Sequence, residues 1–244
     1  MADSVWAPMS GSFAPAATSV SRHSAVVRAT HWLTALCFLA LLVSGVEILL
    51  SHPRFYWGEA GNVLTRPLFS LPFPSSRGTV PTGYGYVLPD QNGWSRYLHF
   101  QAAWGAVLTG LVYFIYGSVS GHFRRNLLPA RGELSWRSIS TAVTKHDESS
   151  YNVVQRLTYL FVIFVLFPLV IWTGLAMSPA FASAFPDAVS VLGGQQSART
   201  IHFFISVSLF LFLVVHVVMV AVNGFGSRVR AMITGNSGAN KEVR

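Results

Sequence analysis

His202 and His216 lie fourteen residues apart on one apolar run, Arg199 to Val222. Fourteen residues is close to four turns of α-helix. Both imidazoles therefore leave the same helix face, about 21 Å apart along the axis. A run of this length spans the roughly 30 Å hydrocarbon layer of a bilayer, which puts one imidazole toward each membrane surface. Polar groups at such depths are costly and mark functional sites. Two on one face suit two stacked cofactors, and the cofactor that takes an imidazole from either side is haem.

Helices long enough to position such groups are abundant. The chain has 244 residues, 52% of them hydrophobic and 11% charged, with a mean hydropathy of +0.46. That is the composition of a membrane protein. Spans are expected at about 29–50, 97–117, 153–177 and 199–222. The expected fold class is all-α, an integral membrane four-helix bundle holding two transmembrane-stacked b haems. Residues 25–235 form the four-span domain. Residues 1–24, rich in Ala, Ser and Pro, read as a disordered cytoplasmic tail, and 236–244 as a second one. The first segment lacks a signal peptide's apolar region, so span one serves as its own insertion signal.

The net charge of +8 is a topology signal and not a mark of nucleic-acid binding. Twelve basic residues fall on one side: Arg22 and Arg28, then Arg124, Arg125, Arg131, Arg137, Lys145 and Arg156, then Arg228, Arg230, Lys241 and Arg244. Five fall on the other: Arg54, Arg66, Arg77, Arg96 and Arg199. The positive-inside rule places both termini in the cytoplasm. With Cys37 as the single cysteine, the chain can form no internal disulfide, attach no c-type haem and hold no iron–sulfur cluster.

Topology then sorts the histidines. His23, His52, His122 and His146 lie outside the spans and read as exposed loop residues. Span one runs inside to outside, so His31 is near the inner surface. Spans two and four run the other way, so His99 and His202 are near the outer surface and His216 is near the inner one. The depths pair His99 with His202, and His31 with His216. Each pair can clamp one haem iron, and filling both axial positions favours electron transfer. A lone span histidine more often makes an interhelical hydrogen bond; four that fall into two depth-matched pairs are harder to explain that way. Arg28, Arg96 and Arg199 flank these histidines at the surfaces and suit haem propionates, though each could equally be a topology or snorkelling arginine. Gly45, Gly105 and Gly110 offer room beside a ring, or ordinary small-residue packing. Glu47 reads as exposed at the interface.

The connections are uneven. The outer loop 51–95 is too long for a simple link. Its Tyr56, Trp57, Tyr84, Tyr86 and Trp94 fit either an ordered cap that meets a partner or an aromatic belt. The inner loop 118–150 has room for an interfacial helix near 134–144. The second outer loop, 178–198, has room for a short surface helix. Pro168 interrupts span three, which should kink there.

Several segments carry a family likeness. R-A-T-H-W (Arg28–Trp32), S-R-Y-L-H-F (Ser95–Phe100), Q-S-A-R-T-I-H-F (Gln196–Phe203) and V-V-H-V-V-M (Val214–Met219) resemble the di-haem cytochrome b subunits of bacterial formate dehydrogenases, nickel–iron hydrogenases and thiosulfate reductases. H-P-R-F-Y-W-G-E (His52–Glu59) and T-G-L-A-M-S-P (Thr173–Pro179) favour the thiosulfate reductase type. The resemblance covers roughly residues 28–235. It implies two haem b groups, a membrane quinone as exchangeable substrate, and a periplasmic molybdopterin oxidoreductase as partner, on the bacterial inner membrane. The competing readings are a stand-alone enzyme such as a superoxide oxidase, a haem subunit coupled to a cytoplasmic donor, and a non-redox scaffold.

Overall fold

A computed structural model describes residues 23–62, 64–72, 92–129 and 153–235. The two tails, the stretch 73–91 of the long loop with Tyr84 and Tyr86, and the expected helix near 134–144 with His146 lie outside the described residues.

Four helices are long and apolar enough to cross a membrane: Ala25–Ser51, Gly93–Val119, Val153–Ala176 and Gln195–Val222. Helix α1 is Ala25–Ser51, opened by Ser24, whose hydroxyl accepts from the Val27 amide at 3.3 Å. Helix α2 is Asn92–Val119. The third span comprises α3 (Val153–Phe161), a π turn (Val162–Leu166) and α4 (Phe167–Ala176). Pro168, which has no N–H to give, is the second residue after that π turn, and the Phe167 amide bonds Val162 O five residues back. The interruption expected at the proline is thus taken up as a widened turn. Two short helices, α5 (Pro179–Ala184) and α6 (Pro186–Ser190), fill the second connection. Helix α7 is Gln195–Val222. Sequence reasoning missed α8, Phe225–Thr234, which starts and ends on left-handed glycines, Gly224 and Gly235.

The helices pair as two hairpins. Helix α1 packs along α2, and α4 along α7, while backbone contact between the hairpins is sparse. Within the second hairpin, Val162 and Leu166 bury against Ile205 and Leu209. Nearer the short helices, Ala176, Val189, Leu192 and Ala198 form another cluster, beside which Trp172 donates to the Ala188 carbonyl at 3.1 Å. The outer faces of the spans are apolar and exposed, including Leu36, Leu39, Val43, Leu108, Leu211 and Val218. That is the surface expected against lipid.

The long loop is ordered where it leaves α1. Strands β1 (Arg54–Phe55) and β2 (Phe69–Ser70) pair antiparallel, Arg54 opposite Ser70 and Phe55 opposite Phe69. Phe55 stacks on Phe69 at 4.6 Å and meets Phe203 of α7 at the same distance. This part of the loop is therefore an anchored cap and more than an aromatic belt.

Candidate functional site

The two hairpins face each other through imidazoles. His99 of α2 meets His202 of α7, ring centroids 6.3 Å apart, and His31 of α1 meets His216 of α7, also 6.3 Å apart. The first pair lies on the side of the cap. The second lies on the side of α8. An imidazole nitrogen binds a metal at about 2.0–2.1 Å, so two rings trans on one metal have centroids about 6 Å apart. Both pairs have that separation. The residues present therefore fit a bis-histidine haem at each level.

Each ring of the cap-side pair has a hydroxyl partner. Ser44 Oγ lies 3.0 Å from His99 Nδ1, and Thr173 Oγ1 lies 3.0 Å from His202 Nδ1. Ser44 and Thr173 are fully buried. A glycine follows each, and a Cβ there would touch the same ring: 3.7 Å from His99 Cε1 at Gly45 and 3.4 Å from His202 Cε1 at Gly174. Gly45 thus lies beside an imidazole. Gly105 faces Cys37, whose sulfur a Cβ would meet at 2.9 Å, and a Cβ on Gly110 would meet nothing. The α8-side pair sits among rings. His216 stacks on Phe212 at 5.8 Å with Tyr159 at 6.4 Å, and Trp32 stands edge-on to His31 at 5.3 Å.

The three flanking arginines have distinct surroundings. Arg199 donates to the His52 carbonyl, and its guanidinium carbon lies 5.2 Å from the Phe55 ring centroid, so it fastens the cap. Arg96 is exposed on α2, one turn before His99. Arg28 donates through Nη1 to the Ile233 carbonyl at 2.8 Å, while its Nε is buried without a hydrogen-bond partner among the described residues. Glu47 departs from the expected exposure: it is half-buried, with Oε2 enclosed and unbonded among the described residues. His23, His52 and His122 are half-buried and not exposed. His122 packs on Tyr113 and Phe123, and burial, with Arg125 nearby, pushes it below the usual histidine range.

Both ends of the histidine array are closed by hydrogen bonds that the sequence did not disclose. The cap supplies acceptors to the orphan donors of the α7 N-terminus. The Gln195 amide donates to Glu59 Oε2 at 3.3 Å, and the Gln196 and Ser197 amides donate to Gly58 O at 3.0 and 3.3 Å. In return the Gly58 amide donates to Ser197 Oγ at 2.8 Å, and Thr200 Oγ1 donates to Tyr56 O at 2.7 Å. At the other end, Arg28 and Trp32 hold the last turn of α8, the Trp32 indole donating to Met232 O at 3.1 Å. With Ala25, Ala29 and Ile233 they line an open hollow of about 500 Å³. Trp32→Phe keeps the ring and deletes the bond, a loss of about 1 kcal/mol. Faster amide exchange confined to residues 225–235 is the expected readout.

The prokaryotic cytochrome b561 family model matches residues 22–235, which includes all four facing histidines. The chain belongs to the prokaryotic cytochrome b561 family. Its four apolar helices are those of a multi-pass membrane cytochrome b of bacterial type. A curated relative, named "Putative protein-methionine-sulfoxide reductase subunit YedZ1", from Azospira oryzae, is 30% identical over 213 residues, covering 82% of this chain and 90% of that one. No solved structure matches the chain.

Proposed function

We propose that this cytochrome b561-family chain is a di-haem electron relay between the membrane quinone pool and a redox partner on the periplasmic face. His99 and His202 would ligate the outer haem, and His31 and His216 the inner one, with both termini cytoplasmic. The observation that carries the reading is the repeated juxtaposition: two imidazole pairs, each at 6.3 Å, at opposite ends of the same two hairpins. Haem b supplies reversible one-electron chemistry when bound; the chain supplies ligands, burial and orientation. Arg96 and Arg199 would receive propionates at the outer rim, and Arg28 at the inner one, where its Nε has no other partner among the described residues.

Family membership supports haem b, and the Azospira relative's description as a reductase subunit supports a partner that carries the catalysis. The family resemblance points further, to a molybdopterin oxidoreductase. The cap offers it a landing surface: Trp57 and Leu68 stand exposed on the loop that holds the α7 N-terminus. The test is a gentle pull-down of tagged protein from native membranes, assayed for haem iron and molybdenum together. Stoichiometric molybdenum beside two b haems is the expected result. Two haems that reduce with quinol but bring no molybdenum down would overturn the molybdopterin partner.

A further inference from the structure

Ser44 and Thr173 repeat one device on opposite hairpins. Each is a buried hydroxyl in a span, each precedes a glycine, and each touches the Nδ1 of a facing imidazole. The direction of those hydrogen bonds follows from the proton count. A hydroxyl has one proton and two lone pairs. Ser44 Oγ gives its proton to Ala40 O at 2.7 Å, with Leu41 O at 3.2 Å. Thr173 Oγ1 gives its proton to Leu169 O at 2.7 Å, with Val170 O at 3.1 Å. Toward the imidazole each oxygen therefore presents a lone pair, and Nδ1 must be the donor. With the proton on Nδ1, the lone pair of each ring is on Nε2, free for a metal.

Among the described residues the α8-side pair has no such device. His31 Nδ1 is buried without a hydrogen-bond partner among the described residues, and the contacts of His216 are with rings.

We infer that Ser44 and Thr173 are positioning residues that fix the tautomer and rotation of His99 and His202, and thereby lower the reduction potential of the cap-side haem alone. The physical reason is that a hydrogen bond from Nδ1–H pushes electron density onto Nε2, making the ring a stronger donor and favouring the ferric state. The inference rests on the di-haem reading above.

The test is a spectroelectrochemical titration of purified full-length protein, wild type against Ser44→Ala and Thr173→Val. His202→Ala identifies which component belongs to the cap-side pair. Thr173→Val keeps the side chain's shape, and Ser44→Thr and Thr173→Ser keep the hydroxyl. The expected result is an upward shift of the cap-side midpoint in each hydroxyl-deleted variant, a larger one in the double variant, altered low-spin ferric EPR g-values, and an unmoved second midpoint. The hydroxyl-retaining variants should return the wild-type values. If Ser44→Ala or Thr173→Val sheds the cap-side haem while its hydroxyl-retaining counterpart keeps it, the positioning role stands. Unchanged midpoints and g-values in both deletions would overturn it, as would equal shifts of both haems, or loss of haem in the hydroxyl-retaining variants too. A wild-type protein without two b haems would instead overturn the di-haem reading, so the two failures are distinguishable.

Discussion

His202→Ala should halve the haem content and leave the second b haem in place. The ring stands opposite His99 at 6.3 Å, and its Nδ1 is already committed to Thr173. Alanine leaves His99 alone on that level. The His31–His216 pair is roughly 21 Å along α7, by helix rise, and shares no ligand with it. The same substitution should lower the thermal midpoint well beyond the loss of packing. Backbone contact between the hairpins is sparse, so a tightly held cofactor gripped from both sides would add to the cap and α8 bonds that join them, and ligand binding stabilises in proportion to the logarithm of its saturation. His99→Ala should behave alike, and His31→Ala or His216→Ala should remove the other component. Pyridine haemochromogen assay per mole of chain checks all four. Retention of both haems in His202→Ala, or loss of both in every variant, would break the proposed pairing.

Gly194→Ala should detach the cap from α7. Gly194 has φ 103° and ψ 174°, a region open essentially to glycine alone. A Cβ there would lie 2.7 Å from the backbone carbon and oxygen of Gly58 and 2.7 Å from the Glu59 carboxyl carbon. Backbone strain of about 1–3 kcal/mol adds to a collision that a side-chain rotation cannot relieve. The segment 57–59 must move, and the Gln195, Gln196 and Ser197 amides then lose the acceptors it supplies, at about 1 kcal/mol each. Rapid proteolysis within the long loop, with both spectral haem components retained, is the expected pattern. If Gly194→Ala resists protease as the wild type does, the cap is held by something other than these bonds.

How much of this was legible in the sequence depends on the length of the signal. Twenty apolar residues announce a span whatever surrounds them, and the four helices lie where hydropathy puts them. The juxtaposition of His99 with His202 and of His31 with His216 followed from depth alone, because topology fixes the order along each span. Pro168 marked the break in span three, though its form as a π turn depends on local hydrogen bonding. Ser44 and Thr173 gave no such signal. A hydroxyl in an apolar helix bonds its own i−4 carbonyl by default, and only the tertiary placement of His99 and His202 gives the other lone pair a task. Helix α8 was missed because ten residues carrying Arg228 and Arg230 look like a basic tail until Arg28 and Trp32 are seen to grip its last turn. The arginines were read as propionate partners from charge and position; two of the three also bond backbone carbonyls, Arg28 at Ile233 and Arg199 at His52. Charge alone could not disclose those acceptors.

One chain should carry two b haems on four histidines. Haem b per polypeptide in the purified wild-type protein, with EPR of the ferric form to identify axial ligation, is the measurement to make. Two low-spin, bis-histidine haems per chain are expected. One haem per chain, or a high-spin ferric signal from an iron lacking its sixth ligand, would contradict this.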